Sequence, residues 1–351
     1  MVNFPLPLVG ICFVLQTELA SAQIYENEVR LMKKKMKLLF ISVICLFLFV
    51  GCSQSGGSSE ADSEGDKVIR IGYQKNGPLI ILKSLGTLEE RLEEEGYTVE
   101  WKQFQAGPAL VEALNAGSID FGRTGNSPPI FAQAADAPFV MVAAGKSKFK
   151  GSGILVPNDS GIQSTEDLKG KKVGFAKGSS SHYLIVKALQ EVGLQYSDIS
   201  PAFLSPGDAR IAFEQGNIDA MVVWDPYTAS TELHSDGKLL IDGEGLTTDR
   251  DFFIATKNFE KNHPEMIDIL LDEIQKSSDW ANSNQEELAT ILTPILNIEE
   301  DSILKSIKRR TYGVDEINEE ILKEQQEIAD TFYELDIIPK EIQVKDVLAN
   351  N

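Results

Sequence analysis

The chain has 351 residues, of which 42% are apolar and 25% charged, with 33 Lys and Arg against 53 Asp and Glu. This composition is typical of a globular protein and argues against a disordered chain or a protein with many membrane spans. The net charge of −20 argues against a nucleic-acid partner, because a phosphate backbone needs a basic surface. At this length we expect two compact lobes rather than one small domain.

The first 52 residues predict an export signal. Residues 32–37 read MKKKMK, and the thirteen residues Leu38–Val50 are apolar except for Ser42. A basic stub before a short apolar run is typical of a secretion signal, and thirteen residues are too few to cross a bilayer, which takes about 20. The run ends in FVGC, which resembles a bacterial lipoprotein box, although Phe49 stands where Leu is usual. Cys52 is therefore the predicted lipidation site, with an uncleaved anchor or an ordinary signal peptide as the alternative.

Residues 1–31 precede this signal and have no place in it. We interpret them as a start-site artefact, with the true start at Met32 or Met36; a functional apolar segment at Leu6–Leu15 is the alternative. Residues 53–66 are rich in Ser, Gly and acidic residues and predict a flexible tether. We therefore expect an acidic globular body held outside the cell by a lipid anchor.

The body lacks the residues that most metal and thiol sites need. The three cysteines lie in the first 52 residues, and the three histidines, His182, His234 and His263, are far apart in the sequence. We therefore expect no disulfide framework, thiolate nucleophile, metal site or cofactor.

From Val68 onward, strand-like and helix-like segments alternate. The predicted strands are Val68–Tyr73, Thr98–Phe104, Ser118–Phe121, Phe139–Ala144, Lys172–Phe175 and Asp219–Trp224. The predicted helices are Leu88–Glu95, Pro108–Ala116, Pro128–Ala135, Ser180–Val192, Asp208–Gln215, Pro264–Ser283, Gln285–Leu296 and Asn318–Leu335. Such alternation predicts mostly parallel sheet covered by helices on both faces.

The two halves of the body also resemble each other. ALNAGSID at 113–120 matches AFEQGNID at 212–219, and IGYQK at 71–75 matches VGFAK at 173–177. The two matches have nearly the same offset and indicate two similar lobes. A chance recurrence of a helix–Gly–strand phrase is the alternative.

Four polar segments follow predicted strands: residues 74–78, 124–127, 178–182 and 224–227. Ligands of open α/β sheets bind beyond the carboxyl ends of strands, so we expect these segments to meet in a cleft between the lobes. Hydroxyls, Gly amides and helix N-termini donate hydrogen bonds, which favours a small oxyanion held without a fixed cation. Plainer interpretations of these residues stay open. Residues 179–181 could only cap a helix, Trp224 could only fill the core, and His182 could have a structural role. Lys75, Arg309 and Arg310 could be surface charges.

Taken together, several stretches are similar to the substrate-binding proteins of bacterial aliphatic-sulfonate ABC importers, in the nitrate, sulfonate and taurine-binding group. They include IGYQK at 71–75, FQAGP at 104–108, PPIFAQA at 128–134, DLKGKKVG at 167–174 and WDPY at 224–227. The resemblance runs from Val68 to the C-terminus. It implies an α/β, two-lobed type II periplasmic-binding-protein-like fold, with lobe 1 in residues 67–152 and 246–351 and lobe 2 in residues 153–245.

The resemblance also implies a set of cleft residues. They are Gln74, Gly107, Thr124, Gly125, Asn126, Ser179, Ser180 and Trp224. Two positions depart from the family pattern, because many relatives have Gly in place of Arg123 and Asp in place of Asn126. The loss of a carboxylate at Asn126 favours an anionic ligand.

The function implied is capture of an organosulfonate anion at the outer face of the cytoplasmic membrane, and its delivery to ABC permease subunits for sulfur acquisition. We expect a monomer without catalytic activity. Binding of taurine, nitrate or a thiamine precursor on the same fold is the alternative. An enzyme is disfavoured because no nucleophile–base pair is found, and a sensory domain because no second membrane segment follows the body.

Overall fold

The computed structural model describes residues 67–349, so the predicted signal, Cys52 and the tether lie outside the described residues. The chain divides into two units, residues 1–63 and 64–351, and the fold described here is that of the second. Among the helices of residues 67–349, none is both long and apolar enough to span a membrane.

Within residues 67–349 there are eleven strands and twelve α-helices. The strands are β1 (Lys67–Gln74), β2 (Tyr97–Phe104), β3 (Phe121–Gly125), β4 (Phe139–Gly145), β5 (Ser152–Pro157), β6 (Lys172–Phe175), β7 (Ser200–Phe203), β8 (Ala220–Trp224), β9 (Gly237–Asp242), β10 (Asp251–Thr256) and β11 (Val314–Asp315). The helices are α1 (Pro78–Leu85), α2 (Thr87–Glu93), α3 (Gly107–Asn115), α4 (Ser127–Ala134), α5 (Ser180–Glu191), α6 (Pro206–Glu214), α7 (Tyr227–His234), α8 (Lys257–Asn262), α9 (Pro264–Ser283), α10 (Gln285–Leu296), α11 (Glu300–Lys308) and α12 (Glu319–Glu334).

The strands form two mixed sheets. The α/β class predicted from the sequence is confirmed, but the prediction of mostly parallel strands is only half right. The first sheet has the order β11-β4-β10-β3-β1-β2, and the second has the order β7-β6-β8-β5-β9. β1 is parallel to β2 and β3, while β10 is antiparallel to β3 and β4. Likewise β6 is parallel to β7 and β8, while β5 is antiparallel to β8 and β9. The chain enters β5 from the first sheet and β10 from the second. Neither strand therefore follows a crossover helix within its own sheet that would make it parallel to its neighbours.

Helices cover both faces of each sheet. β10 shows the division, because Phe253 belongs to one core with α1, α9 and α10, whereas Phe252 and Ile254 belong to another with α3, α4 and α12. Successive strand residues point to opposite faces, so a strand buried on both sides reads as a continuous apolar run. In the second sheet, α5 packs on one face and α6 on the other.

Near the cleft, the structure differs from the prediction in two elements, of which one was placed differently and one was not predicted. The strand expected at 118–121 begins at Phe121 and continues to Gly125, because the polar pair Arg123 and Thr124 is buried inside it. The Asp120 carboxylate just before β3 accepts the backbone N–H of Arg70, at 2.9 Å from Oδ2. α1 was missed, although Pro78 at its start and Gly86 after its end, at φ +74°, are common helix boundaries.

Candidate functional site

A narrow pocket with a cavity volume of about 20 Å³ lies between the two sheets. The first sheet and its helices contribute the ends of β1 and β3 and the starts of α3 and α4. The second contributes the end of β8 and the start of α5. The lining residues are Gln74, Asn76, Gly107, Arg123, Gly125, Pro128, Lys148, Ser179, Ser180 and Trp224. Six of the eight predicted cleft residues are therefore brought together around one pocket.

The two other predicted residues lie next to the pocket without lining it. Thr124 is fully buried on β3, and its Oγ1 has no hydrogen-bond partner among residues 67–349. A side chain at Gly107 would overlap this hydroxyl and would place Cβ 2.6 Å from Cγ of Pro128, so the close approach of α3 to β3 requires glycine. Asn126 directs its side chain to Thr247, with Nδ2 3.5 Å from Oγ1, and its Oδ1 accepts the Ser127 hydroxyl.

The N-terminus of α5 offers hydrogen-bond donors to the pocket. Ser179 precedes the helix with extended backbone, and its hydroxyl donates to the Ala176 carbonyl at 2.7 Å, so that hydrogen is already used. The first backbone N–H groups of a helix have no intrahelical acceptor, which leaves those of Ser180 and Ser181 as donors. The aligned peptide dipoles of this twelve-residue helix add a partial positive charge at the same end.

α4 is the weaker of the two predicted helix N-termini. Its second and third residues are Pro128 and Pro129, which carry no backbone N–H. The fixed backbone of proline favours helix initiation here but removes donors that an anion needs. The two helix ends that the sequence placed beside the ligand therefore contribute unequally, and α5 is the main one.

His182 has a structural role in this arrangement, as one of the plainer interpretations held. Its Nδ1 accepts the Gly178 N–H at 3.2 Å, and its Nε2 lies 3.1 Å from the Tyr196 hydroxyl. Burial lowers the pKa of His182 to about 4, so the ring is neutral at pH 7. The ring thereby holds the loop that presents Ser179 and Ser180.

The structure overturns the expectation of a site without a fixed cation. Arg123 and Lys148 both line the pocket, and Arg123 is 1% exposed. Arg123 Nη1 donates to Oδ1 of Asn76 at 2.8 Å and to Oε1 of Gln74 at 3.3 Å, while its Nη2 pairs with Asp251. The sequence alone did not reveal this because the partner of Arg123 lies 128 residues away. The available signal was a lone charged residue between the buried Phe121 and the pocket residue Gly125.

The cation belongs to a buried charged cluster. Lys148 Nζ lies 2.6 Å from Oδ2 of Asp249 and 3.5 Å from Oδ1 of Asp251, and Arg310 Nη2 lies 3.0 Å from Oδ2 of Asp251. Burial alone would raise the pKa of Asp251, but the three cations pull it well below the usual range. Asp251 is therefore ionised throughout the neutral range and anchors Arg123.

Three further basic residues, Lys75, Arg309 and Arg310, were predicted as surface charges. Of the three, only Lys75 lies away from the buried charged groups. Its Nζ donates to the Leu296 carbonyl at the C-terminal end of α10, at 3.0 Å. Arg309 pairs with Glu232 and with Asp225, and its side chain is 16% exposed. The side chain of Arg310 is only 9% exposed and pairs with Asp251, so the surface prediction was wrong for it.

Two mixed β-sheets flanked by helices enclose a pocket of hydrogen-bond donors, and the chain crosses from one sheet to the other before β5 and before β10. These features define a two-lobed binding protein of the type II periplasmic class. A family described as NMT1/THI5 like matches residues 92–288. A relative from Escherichia coli (strain K12), named as an aliphatic sulfonates-binding protein, is 37% identical over 316 residues, which are 90% of this chain and 96% of that protein. A relative of the same name from Bacillus subtilis (strain 168) is 37% identical over 317 residues, covering 90% and 95%.

Solved structures agree with these sequence matches. The periplasmic aliphatic sulphonate binding protein SsuA from Escherichia coli superposes with a TM-score of 0.74 and 38% identity, over 81% of this chain and 97% of that chain. SsuA from Xanthomonas axonopodis pv. citri, solved bound to MOPS, gives 0.77 and 34% identity, over 80% and 97%. The chain therefore belongs to the NMT1/THI5-like family. The desulfurization enzyme DSZB, at 11% identity and a TM-score of 0.60, shares the fold alone.

Proposed function

We propose that this protein is the extracytoplasmic substrate-binding component of an ABC importer and that it captures aliphatic sulfonates. The observation that carries the proposal is the pocket between the two sheets, where Gln74, Trp224 and the start of α5 surround a space with free amide donors. The family relatives named for sulfonate binding support the same ligand class. A sulfonate group has three oxygens that can each accept such donors, at about 1.5–3 kcal/mol for each charged hydrogen bond.

The remaining parts of the proposal concern the whole protein. We propose that the permease subunits of the importer receive the ligand, that the protein acts as a monomer without catalysis, and that Cys52 carries the lipid anchor. Replacement of Cys52 by Ala should then move the protein from the membrane fraction to the soluble fraction of cells. We also propose lobe boundaries at 67–152 with 246–351, and 153–245, which are supported by the two sheets.

The ligand class is tested by isothermal titration of the purified chain with ethane- to octanesulfonate, taurine, nitrate and sulfate. We expect micromolar affinity for sulfonates, equivalent to about −8 kcal/mol. Thr124→Val keeps the shape of the side chain and removes the unpartnered hydroxyl, and should weaken binding about tenfold or more. Thr293→Val is the matched control, because that hydroxyl donates to the Ala289 carbonyl on α10, away from the pocket.

The outcomes separate the parts of the proposal. Binding of taurine or nitrate with no response to alkanesulfonates would overturn the ligand class and leave the binding function. No response to any of these ligands would overturn the assignment of the pocket itself.

A further inference from the structure

The pocket wall on the first sheet carries more positive than negative charge. Around the buried carboxylates Asp249 and Asp251 lie three cations, Arg123, Lys148 and Arg310. The salt bridges of this group therefore leave one positive charge in excess. Asp225, a further buried carboxylate that acts on Arg310, has a pKa raised to about 7 by burial and compensates this charge only in part. Two of the three cations, Arg123 and Lys148, line the pocket. A buried unmatched charge is costly unless a ligand or solvent compensates it, so this wall favours an anionic group.

Arg123 also has donors that its protein partners do not use. Its Nη atoms bond to Gln74, Asn76 and Asp251, but the Nε group is buried and has no acceptor among residues 67–349. The guanidinium lies so close to Gly77, at φ +82°, that a Cβ there would be 2.7 Å from Cζ. Because Arg123 occupies the amide oxygen of Gln74, the amide N–H₂ of Gln74 becomes a second donor at this wall.

This cationic wall is close to the donors of α5. Arg123 and Gly125 are two residues apart on β3, so their Cα atoms lie about 6.6 Å apart and share one face of the strand. The Ser180 hydroxyl packs directly against Gly125, where any side chain would overlap it. A sulfonate at the start of α5 would therefore place an atom two or three bonds further along its chain beside Arg123 or Lys148. An alkyl group in that place would cover charged donors without bonding to them.

We infer that Arg123, supported by Lys148, is the specificity-determining residue of the pocket and selects short sulfonates that carry a second anionic group, such as a carboxylate. The inference rests on the proposed function, since it places the sulfonate at α5 and names the subclass of sulfonate that the site takes. The second anionic group accepts hydrogen bonds from the cationic wall and neutralises the excess positive charge of that wall.

The test compares two ligands of the same size and similar shape by isothermal titration. Sulfoacetate carries a carboxylate where 2-methylpropane-1-sulfonate carries an isopropyl group of similar shape. We expect the wild-type chain to bind sulfoacetate at least tenfold more tightly. Arg123→Met should abolish or invert this preference, Arg123→Lys should keep part of it, and Lys148→Met should reduce it.

Arg210→Met is the matched control, because Arg210 pairs with Glu214 at 2.8 Å outside the pocket and its loss should leave the preference unchanged. Thermal unfolding of each variant shows whether it folds, and if Arg123→Met does not, Arg123→Lys and Lys148→Met decide the question. Equal or weaker binding of sulfoacetate by the wild type, with measurable binding of the branched alkanesulfonate, would overturn this inference alone. An unchanged preference in the Arg123 variants would overturn the role of Arg123. If neither ligand binds while ethane- to octanesulfonate do, this inference alone is overturned; if no sulfonate binds, the proposed function is overturned with it.

Discussion

Asp225 and Asp251 are both buried carboxylates near the pocket, yet their surroundings shift their pKa values in opposite directions. Three cations surround Asp251 and keep it ionised. Burial raises the pKa of Asp225 to about 7, and the opposing effect of Arg309, 3.4 Å away, is smaller because Glu232 shares that cation. The Asp225 Oδ1 accepts the Ala229 N–H at 3.0 Å, while its Oδ2 has no partner among the described residues.

This difference predicts how stability depends on pH. An unfolded Asp ionises near pH 4, so between about pH 4 and 7 the native state binds more protons at Asp225 than the unfolded state does. The contribution of Asp225 to the free energy of unfolding should therefore fall as pH rises, by up to about 1.4 kcal/mol per pH unit. Urea unfolding of the wild type and Asp225→Asn at several pH values should show their stability difference changing by this amount.

Asp167→Asn is the control for the same measurement. Hydrogen bonds from the backbone N–H groups of Gln163 and Ser164 lower the pKa of Asp167, so it is already ionised above pH 5. Its stability difference from the wild type should be flat between pH 5 and 7. A flat difference for Asp225→Asn as well would show that Asp225 ionises normally.

At the scale of elements, the starts of α4 and α5 predict different contributions to anion binding. Ser180→Ala removes only a hydroxyl, whereas Ser180→Pro also removes the backbone N–H, in the first helical position where proline is tolerated. We expect Ser180→Ala to weaken sulfonate binding modestly and Ser180→Pro to weaken it by a further tenfold or more, because an amide bond to the charged oxygen is lost. Isothermal titration of both variants measures the difference.

The control for this prediction is the cap of α6, which lies outside the pocket. The Ser205 hydroxyl accepts the Asp208 N–H at 3.3 Å, so Ser205→Ala should cost about 1 kcal/mol of stability and leave the affinity unchanged. Equal affinities of Ser180→Ala and Ser180→Pro would contradict the role assigned to the α5 amides.

At the scale of the whole molecule, charged contacts connect the helices of the two sheets beside the pocket. α7 packs with β8 and β9 of the second sheet, and α11 packs on α10. Glu232 on α7 pairs with Arg309 and, at 3.3 Å, with Lys305 of α11, and His234 Nε2 lies 2.7 Å from Oδ1 of Asp301. On the other flank, Lys187 of α5 lies 3.1 Å from Glu327 of α12. These contacts join helices of the two sheets on either side of the pocket.

Glu232→Gln should therefore reduce the population of molecules in which α7 and α11 stay in contact across the two sheets, and so favour a more open arrangement. The apparent dissociation constant for a sulfonate should rise about three- to tenfold, because the affinity is divided by the fraction of binding-competent molecules. Small-angle X-ray scattering should show a larger radius of gyration without ligand, which saturating ligand restores. Glu286→Gln is the control, since Glu286 pairs with Lys308 between α10 and α11 on one side of the cleft. An unchanged radius and affinity for Glu232→Gln would rule out this role for the α7–α11 contacts.

The sequence by itself determined the class of the fold and much of the pocket. Apolar spacing located β1, β2 and α5 closely, and the polar segments after predicted strands contain Gln74, Ser180 and Trp224, which line one pocket in the structure. These predictions succeed because helix and strand periods are local properties, and because the ends of parallel strands collect on one edge of a sheet.

Only the tertiary structure decided the direction of β5 and β10 and the charge of the pocket. Strand direction depends on which sheet a strand joins, and neither periodicity nor composition carries that information. Arg123 lies just outside the strand predicted at 118–121, but Asp251, 128 residues later, compensates its charge and allows its burial in β3. The cost of burying a charge depends on partners brought together by folding, so the cationic wall follows from the packing of distant segments rather than from any local pattern.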